Sequence, residues 1–455
     1  MIASLERCGS VPIQLRVEPQ FSNEILERVL LHGNVIASLT VDHHPEQLSQ
    51  LQRLFALSSS SVERLHVYSE QSTVRGTIYQ GVPQIGQDFP SLHELFVSRN
   101  FVPVDKLITP NLVHLALEHT ADVHTVKLQS ILDMLRGCPL LETLLLDYSV
   151  LTVLGLDRGC SPVRLPKLRT IEVGGSEVQS GLITYLRFAP NVQVGFRTIR
   201  TDDLCGNIPR MVQDSVQNVL TKVGVRRIIL ASAKHSMGHI LLRIRFEGLQ
   251  GSLEMTTRAI HNPAQPQDIL LGPRGVIPSY SSHTENATEL QVVGCFFHTD
   301  RGLDRVNAAM PNINTISFSG CGGPHVYKLL TSGNASSPPF PCLERVMVFG
   351  PESGLEKMAR GRRDLGVPLK TLVIGRGHGD LKYTPLGDYT TLRELVGDLR
   401  TGCPVETLGW ETGNEILSRW TTISDSVMVS LVRNVTVLCL TTLSIAPLSS
   451  ITLLV

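Results

Sequence analysis

The sequence predicts an α/β protein built as an open solenoid, with mainly parallel strands along a concave face and helices along a convex face. Three observations lead there. An apolar-x-x-apolar-x-apolar pattern returns along most of the 455 residues. The segments between copies carry apolar residues at helical spacing. A proline stands two residues ahead of many copies.

The copies, in order, are Ile36, Leu39, Val41; Val62, Leu65, Val67; Leu92, Leu95, Val97; Leu112, Leu115, Leu117; Leu141, Leu144, Leu146; Leu168, Ile171, Val173; and Val225, Ile228, Leu230. They resume at Ile313, Ile316, Phe318; Leu343, Val346, Val348; Leu369, Leu372, Ile374; and Val405, Leu408, Trp410, with degenerate copies around Leu15 and Leu290. Central positions from 39 onward are spaced by 26, 30, 20, 29 and 27 residues, then by 57, about two units. That period and pattern are those of a leucine-rich repeat. Within a copy the period of two makes a short strand with one buried face. Between copies the period becomes helical at Leu128, Ile131, Leu132, Leu135 and at Leu392, Leu395, Val396, Leu399. Further stripes stand at Ile25, Leu26, Val29, Leu30, at Leu48, Leu51, Phe55, and at Met211, Val212, Val216, Val219, Leu220, Val223. A helix between two strands returns the chain to the same end of the sheet, so the strands run parallel and stack into a solenoid. Pro90, Pro110, Pro139, Pro166, Pro311 and Pro341 end the preceding segment, because proline lacks an N–H and has a fixed φ, and lead into the strand.

The regularity fails between about 231 and 285. There His239 to Phe246 and Gly251 to Arg258 read as two arms of a hairpin around Glu247 to Gln250, an insertion in the solenoid. The repeat domain is expected over 1–410, followed by a tail over 411–455. The last 22 residues, from Asn434, carry no charge but are crowded with β-branched residues, and a disordered or strand-like appendage is expected there rather than a membrane span.

Forty-one Lys plus Arg balance forty-one Asp plus Glu. Zero net charge removes the electrostatic footprint that nucleic acid or an anionic membrane would require. At 42% hydrophobic residues the chain can bury a core. Nine cysteines spread over the whole length, with no secretory leader at Met1 to Val17, point to reduced thiols in the cytoplasm or nucleus. The sequons at Asn286, Asn334 and Asn434 carry little weight in that setting.

The phrases FPSLHELFV, CPLLETLLL, LPKLRTIEV and FPCLERVMV resemble the F-box and leucine-rich-repeat family of mushroom-forming fungi. The opening LERCGSVPIQLRV and the central ILLRIRFEGLQGSLEM are similar to that family's segments after the F-box and at its hairpin, so the likeness covers about residues 3 to 410. The resemblance implies a receptor that hands a bound target to a cullin-type ubiquitin ligase. An F-box itself, a helical module led by Leu-Pro, is not expected in this sequence, and neither is capture of a Skp-type adaptor.

Catalytic chemistry finds no candidate residues. There is no Walker loop, G-x-S-x-G, H-E-x-x-H or Cys-x-x-Cys pair. Gly375, Gly377 and Gly379 have the wrong spacing for a phosphate loop. His43 with His44 and Asp42 is not expected to bind metal, since adjacent histidines on an extended chain face opposite ways and no Cys or third ligand has suitable spacing. Lys357, Arg360, Arg362 and Arg363 read as a solvated helix face, and Cys138 and Cys342 as packing residues beside prolines. No cofactor or metal is expected. The sequence therefore favours a non-enzymatic protein-binding scaffold, the alternative being a small-molecule hydrolase or transferase on an α/β fold. In each strand the residues flanking the central one point away from the core. Arg64, Glu94 and His114 precede it, and His66 and Phe96 follow it. They form the expected partner-binding patch on the concave face, of mixed charge with one exposed aromatic, a composition suited to a protein partner.

Overall fold

The computed structural model describes residues 12–17, 36–43, 61–69, 89–98, 109–118, 128–147, 160–174, 182–200, 210–234, 240–259, 276–294, 306–319, 327, 330–333, 336–349, 354–376, 389–404 and 453–454. The fold is α/β, with a large, mostly parallel sheet and few helices. The chain divides into two compact units, residues 1–197 with 443–455, and residues 198–442.

In the first unit, strands β1 (Ile13–Val17), β2 (Ile36–His43), β3 (Arg64–Ser69), β4 (Glu94–Ser98) and β5 (His114–Glu118) pair in parallel in sequence order. Helix α1 (Leu128–Arg136) precedes β6 (Thr143–Asp147), and β7 (Val163–Leu165) precedes β8 (Thr170–Gly174). β9 (Leu186–Phe188) pairs with β7 in a separate two-stranded sheet, while β10 (Val192–Arg200) extends the parallel ladder beyond β8. The register explains the repeat. Leu15, Leu39, Leu65, Leu95, Leu115, Leu144, Ile171 and Val194 align strand to strand, and each is at most 2% exposed. Equivalent apolar side chains on neighbouring strands, about 4.8 Å apart, form one continuous apolar ladder. Within the 57-residue gap, β10 adds a further parallel strand to the ladder, with Val192, Val194 and Phe196 all buried.

Every proline-led junction is a tight turn. Leu92, Leu112, Leu141, Leu168, Ile313 and Leu343 each donate their N–H to the residue three back, at 3.0 to 3.4 Å. Proline thus occupies the second turn position, where its φ fits and its missing N–H costs nothing. One residue ahead of each strand the inter-strand ladder already starts. The Glu63 carbonyl accepts from His93 and Glu94, that of His93 from Val113 and His114, and that of Val113 from Glu142 and Thr143.

In the second unit, helix α2 (Arg210–Val223) leads into β11 (Val225–Lys234), followed by the hairpin β12 (Ile240–Gly248) and β13 (Gly251–Ala259). The hairpin closes on two residues, Leu249 and Gln250, a tighter turn than the sequence suggested, with Gly248 opposite Gly251. Leu242, Ile244 and Phe246 bury its inner face. One edge of β11 pairs antiparallel with β12 and the other pairs parallel with β14 (Glu289–Val293), which two four-residue helices, α3 (Val276–Ser279) and α4 (Ser281–Thr284), precede. The parallel order continues through β15 (Thr315–Ser319), β16 (Arg345–Phe349), β17 (Thr371–Arg376) and β18 (Asp398–Pro404), with helices α5 (Leu355–Asp364) and α6 (Thr390–Leu395) between. Ile228, Leu290, Ile316, Val346 and Leu372 form the central ladder, all fully buried.

Two expectations need correction here. The stripe Leu392 to Leu399 is not one helix: α6 ends at Leu395, and Leu399 lies in β18 opposite Leu372. The Asp398 N–H bonds the Lys370 carbonyl, and joining the ladder outweighs a last helical turn beside Gly397. Arg362 is not on a solvated helix face but wholly buried, whereas Lys357, Arg360 and Arg363 are exposed. The stripes at Ile25 to Leu30 and Leu48 to Phe55, and the copy Val405, Leu408, Trp410, lie outside the described residues. Of the tail, Leu453–Leu454 forms a two-residue strand, β19, antiparallel to β1. Among the described residues no helix is long and apolar enough to cross a membrane.

Candidate functional site

The strands β3, β4 and β5 bring the five expected partner-binding residues together. Arg64, Glu94 and His114 are register partners in one row, and His66 and Phe96 lead the next, which continues to Ala116 and Leu145. The first row reaches solvent: His114 is exposed, and Arg64 and Glu94 are half-buried. The second does not. Phe96 is 2% exposed and His66 7%, so the exposed aromatic expected from the sequence is a buried one. The reason is visible in the strands themselves. Phe96-Val97 and Leu144-Leu145-Leu146 are unbroken apolar runs, and Ala116 and Leu145 are buried beside Phe96. Parallel strands buried on both faces carry such runs, whereas half-solvated strands alternate.

The buried row shapes the electrostatics of the exposed one. The His66 ring stands edge-on to Phe96, with centroids 5.8 Å apart, and its Nε2 lies 3.1 Å from Glu94 Oε1. Burial pushes the Glu94 carboxyl up, but the His66 hydrogen bond and the charges of His66, His114 and Arg64 outweigh it, so Glu94 titrates below its ordinary value. The result is a carboxylate bonded to His66 of β3 and flanked by the charges of Arg64 on β3 and His114 on β5. Such a patch can make charged hydrogen bonds to a partner. None of these five residues carries a hydroxyl or thiol, and the row continues to Ser38 on one side and Thr143 on the other.

A second polar cluster, in the other unit, escaped the sequence reading, which treated the hairpin only as an insertion. Arg243, Arg245 and Glu247 alternate along β12 on the face opposite Leu242, Ile244 and Phe246. Arg243 pairs with Glu254 of β13, and Arg245 Nε lies 2.9 Å from Glu247. Arg227 of β11 reaches Glu247 at 3.3 Å and donates to the Gln291 amide oxygen of β14 at 2.8 Å. The signal was present as the period of two in RIRFE, with basic and acidic side chains on one face. Three arginines face Glu247, Glu254 and Glu289, so the formal charges of the network balance.

Among the described residues no group of three or more His, Cys, Asp or Glu is placed to hold a metal ion. Asp42 and His43 end β2 and Gly375 lies in β17, while His44, Gly377 and Gly379 fall outside the described residues. Cys138 is buried at its turn, where desolvation raises its thiol's pKa, and Cys342 is exposed. No protein-family model matches this sequence, and no curated protein is similar to it.

Proposed function

We propose that this chain is a non-enzymatic, protein-binding scaffold of the leucine-rich-repeat type, in which the parallel strands form a solenoid and the Arg64, Glu94, His114 row contributes to partner contact. The observation that carries the reading is the strand register, which sets equivalent flanking residues of successive repeats side by side and so presents one row of side chains per position in the repeat. A rigid row of this kind is a low-entropy contact surface, because the backbone ladder holds it before binding. With Phe96 and His66 buried, they act as its support rather than as contacts. The resemblance of the repeat phrases to fungal F-box receptors extends the proposal to target recognition for a cullin-type ubiquitin ligase.

The test is quantitative capture. A partner identified by crosslinking to the intact chain should bind the Arg64→Ala/His114→Ala double variant at least tenfold more weakly, with the variant's unfolding midpoint unchanged. Equal affinity would remove this row as the contact. Turnover of a small-molecule ester or phosphate by the purified chain would instead favour the hydrolase alternative.

A further inference from the structure

Arg362 is the largest fully buried side chain described. Among the described residues it meets no carboxylate. Nη1 donates to the Pro339 carbonyl at 2.6 Å, and Nη2 to those of Phe340 and Leu343 at 3.2 and 3.3 Å. These carbonyls belong to the turn that leads into β16, whereas Arg362 lies in α5, which follows β16. One cation therefore closes the ends of a single repeat onto each other.

The turn it grips is unusual. Phe340 has φ +48°, in the left-handed region that a bulky non-glycine residue seldom occupies, and it is one of two non-glycine residues described with positive φ. Such a conformation persists only where its surroundings over-determine it. Four contacts do so here: the Phe340 ring is fully buried, its N–H donates to Asn307 Oδ1 at 2.8 Å, and its carbonyl accepts from the Leu343 N–H at 3.0 Å and from Arg362. At two equivalent turns a different device ties the backbone. Asn111 donates to the Pro90 carbonyl and Asn312 to that of Glu285, each at 2.9 Å, from the position just after proline. At the Phe340 turn that position is Cys342, exposed and without a side-chain amide.

We infer that Arg362 is a conformational latch, a positioning residue that holds the left-handed turn at Phe340 and makes the segments 306–309, 339–343 and α5 open and close as one unit. Arginine suits the role because its planar fork can face carbonyls with two nitrogens at once, which a single amino group cannot. Burial lowers its pKa to about 10, still far enough above neutrality to keep the latch charged.

Hydrogen exchange on the full chain tests this. In Arg362→Lys and Arg362→Met the amides of Phe340, Leu343 and α5 should all exchange faster by on the order of tenfold or more, the loss set by one hydrogen bond to a charged group. Strands β2 to β6 should keep their protection. Asn307→Ala should speed Leu343 exchange as well, and adding it to Arg362→Lys should have less than the product of the two single effects, since both act on one turn. Unchanged protection at Leu343 in the Arg362 variants, multiplicative effects in the double variant, or an equal loss across both units would each overturn the latch.

Discussion

Replacing Phe96 with Ala separates the two faces of the first unit's sheet. A flanking residue on an open face would tolerate the change within about 0.5 kcal/mol, the scale of ordinary surface substitutions. Phe96 is instead 2% exposed, with the His66 ring edge-on to it and Ala116 across the strand. Returning a buried phenylalanine to water costs about 1.5 to 3 kcal/mol. The cavity left behind raises the total to about 3 to 5 kcal/mol, because neither the Ala116 methyl nor a backbone fixed in the ladder can fill it. The variant should therefore be as damaging as Leu95→Ala on the opposite face, for which about 2 to 5 kcal/mol is expected. Urea unfolding followed by far-ultraviolet circular dichroism gives the free energy, and amide exchange in β3 to β5 places the loss in this unit. A Phe96→Ala variant within about 0.5 kcal/mol of the parent would mean that the ring is solvated and the second face open.

Glu94 titrates below its ordinary value, so the stability it contributes is fully present above the unfolded-state value of about 4.3 and is lost as pH falls through the lower folded value. Between about pH 5 and 3 the parent should lose more stability than Glu94→Gln; parallel acid limbs would sink this. A Cβ at Gly248 would fall 2.1 Å from the Val223 carbonyl oxygen and 2.4 Å from that of Gly224. Gly248→Ala should thus cost at least about 1 to 3 kcal/mol, read as a lowered thermal midpoint, and an unchanged midpoint would mean that the hairpin shifts freely.

The strands, their parallel order and the residues that fill the ladders were legible in the sequence. A period of two marks which residues share a face, and Leu39, Leu65, Leu95, Leu115 and Leu144 repeat that mark at intervals a crossover can span. The turns were legible through proline, a local steric constraint, and the hairpin through alternation on both arms. Local pattern does not state what lies over a face. Phe96 and His66 stand at positions that alternation sends away from the core, and only the folded sheet buries them. Nor does a basic run reveal which of its members turns inward. Lys357, Arg360 and Arg363 do project outward as expected, but Arg362 meets carbonyls brought to it from 19 to 23 residues earlier. Leu399 likewise fits a helical stripe and a strand equally well, and the Lys370 carbonyl decides between them. Periodicity is a property of neighbours along the chain, whereas burial of a second face and solvation of a cation depend on atoms that only the tertiary fold brings near.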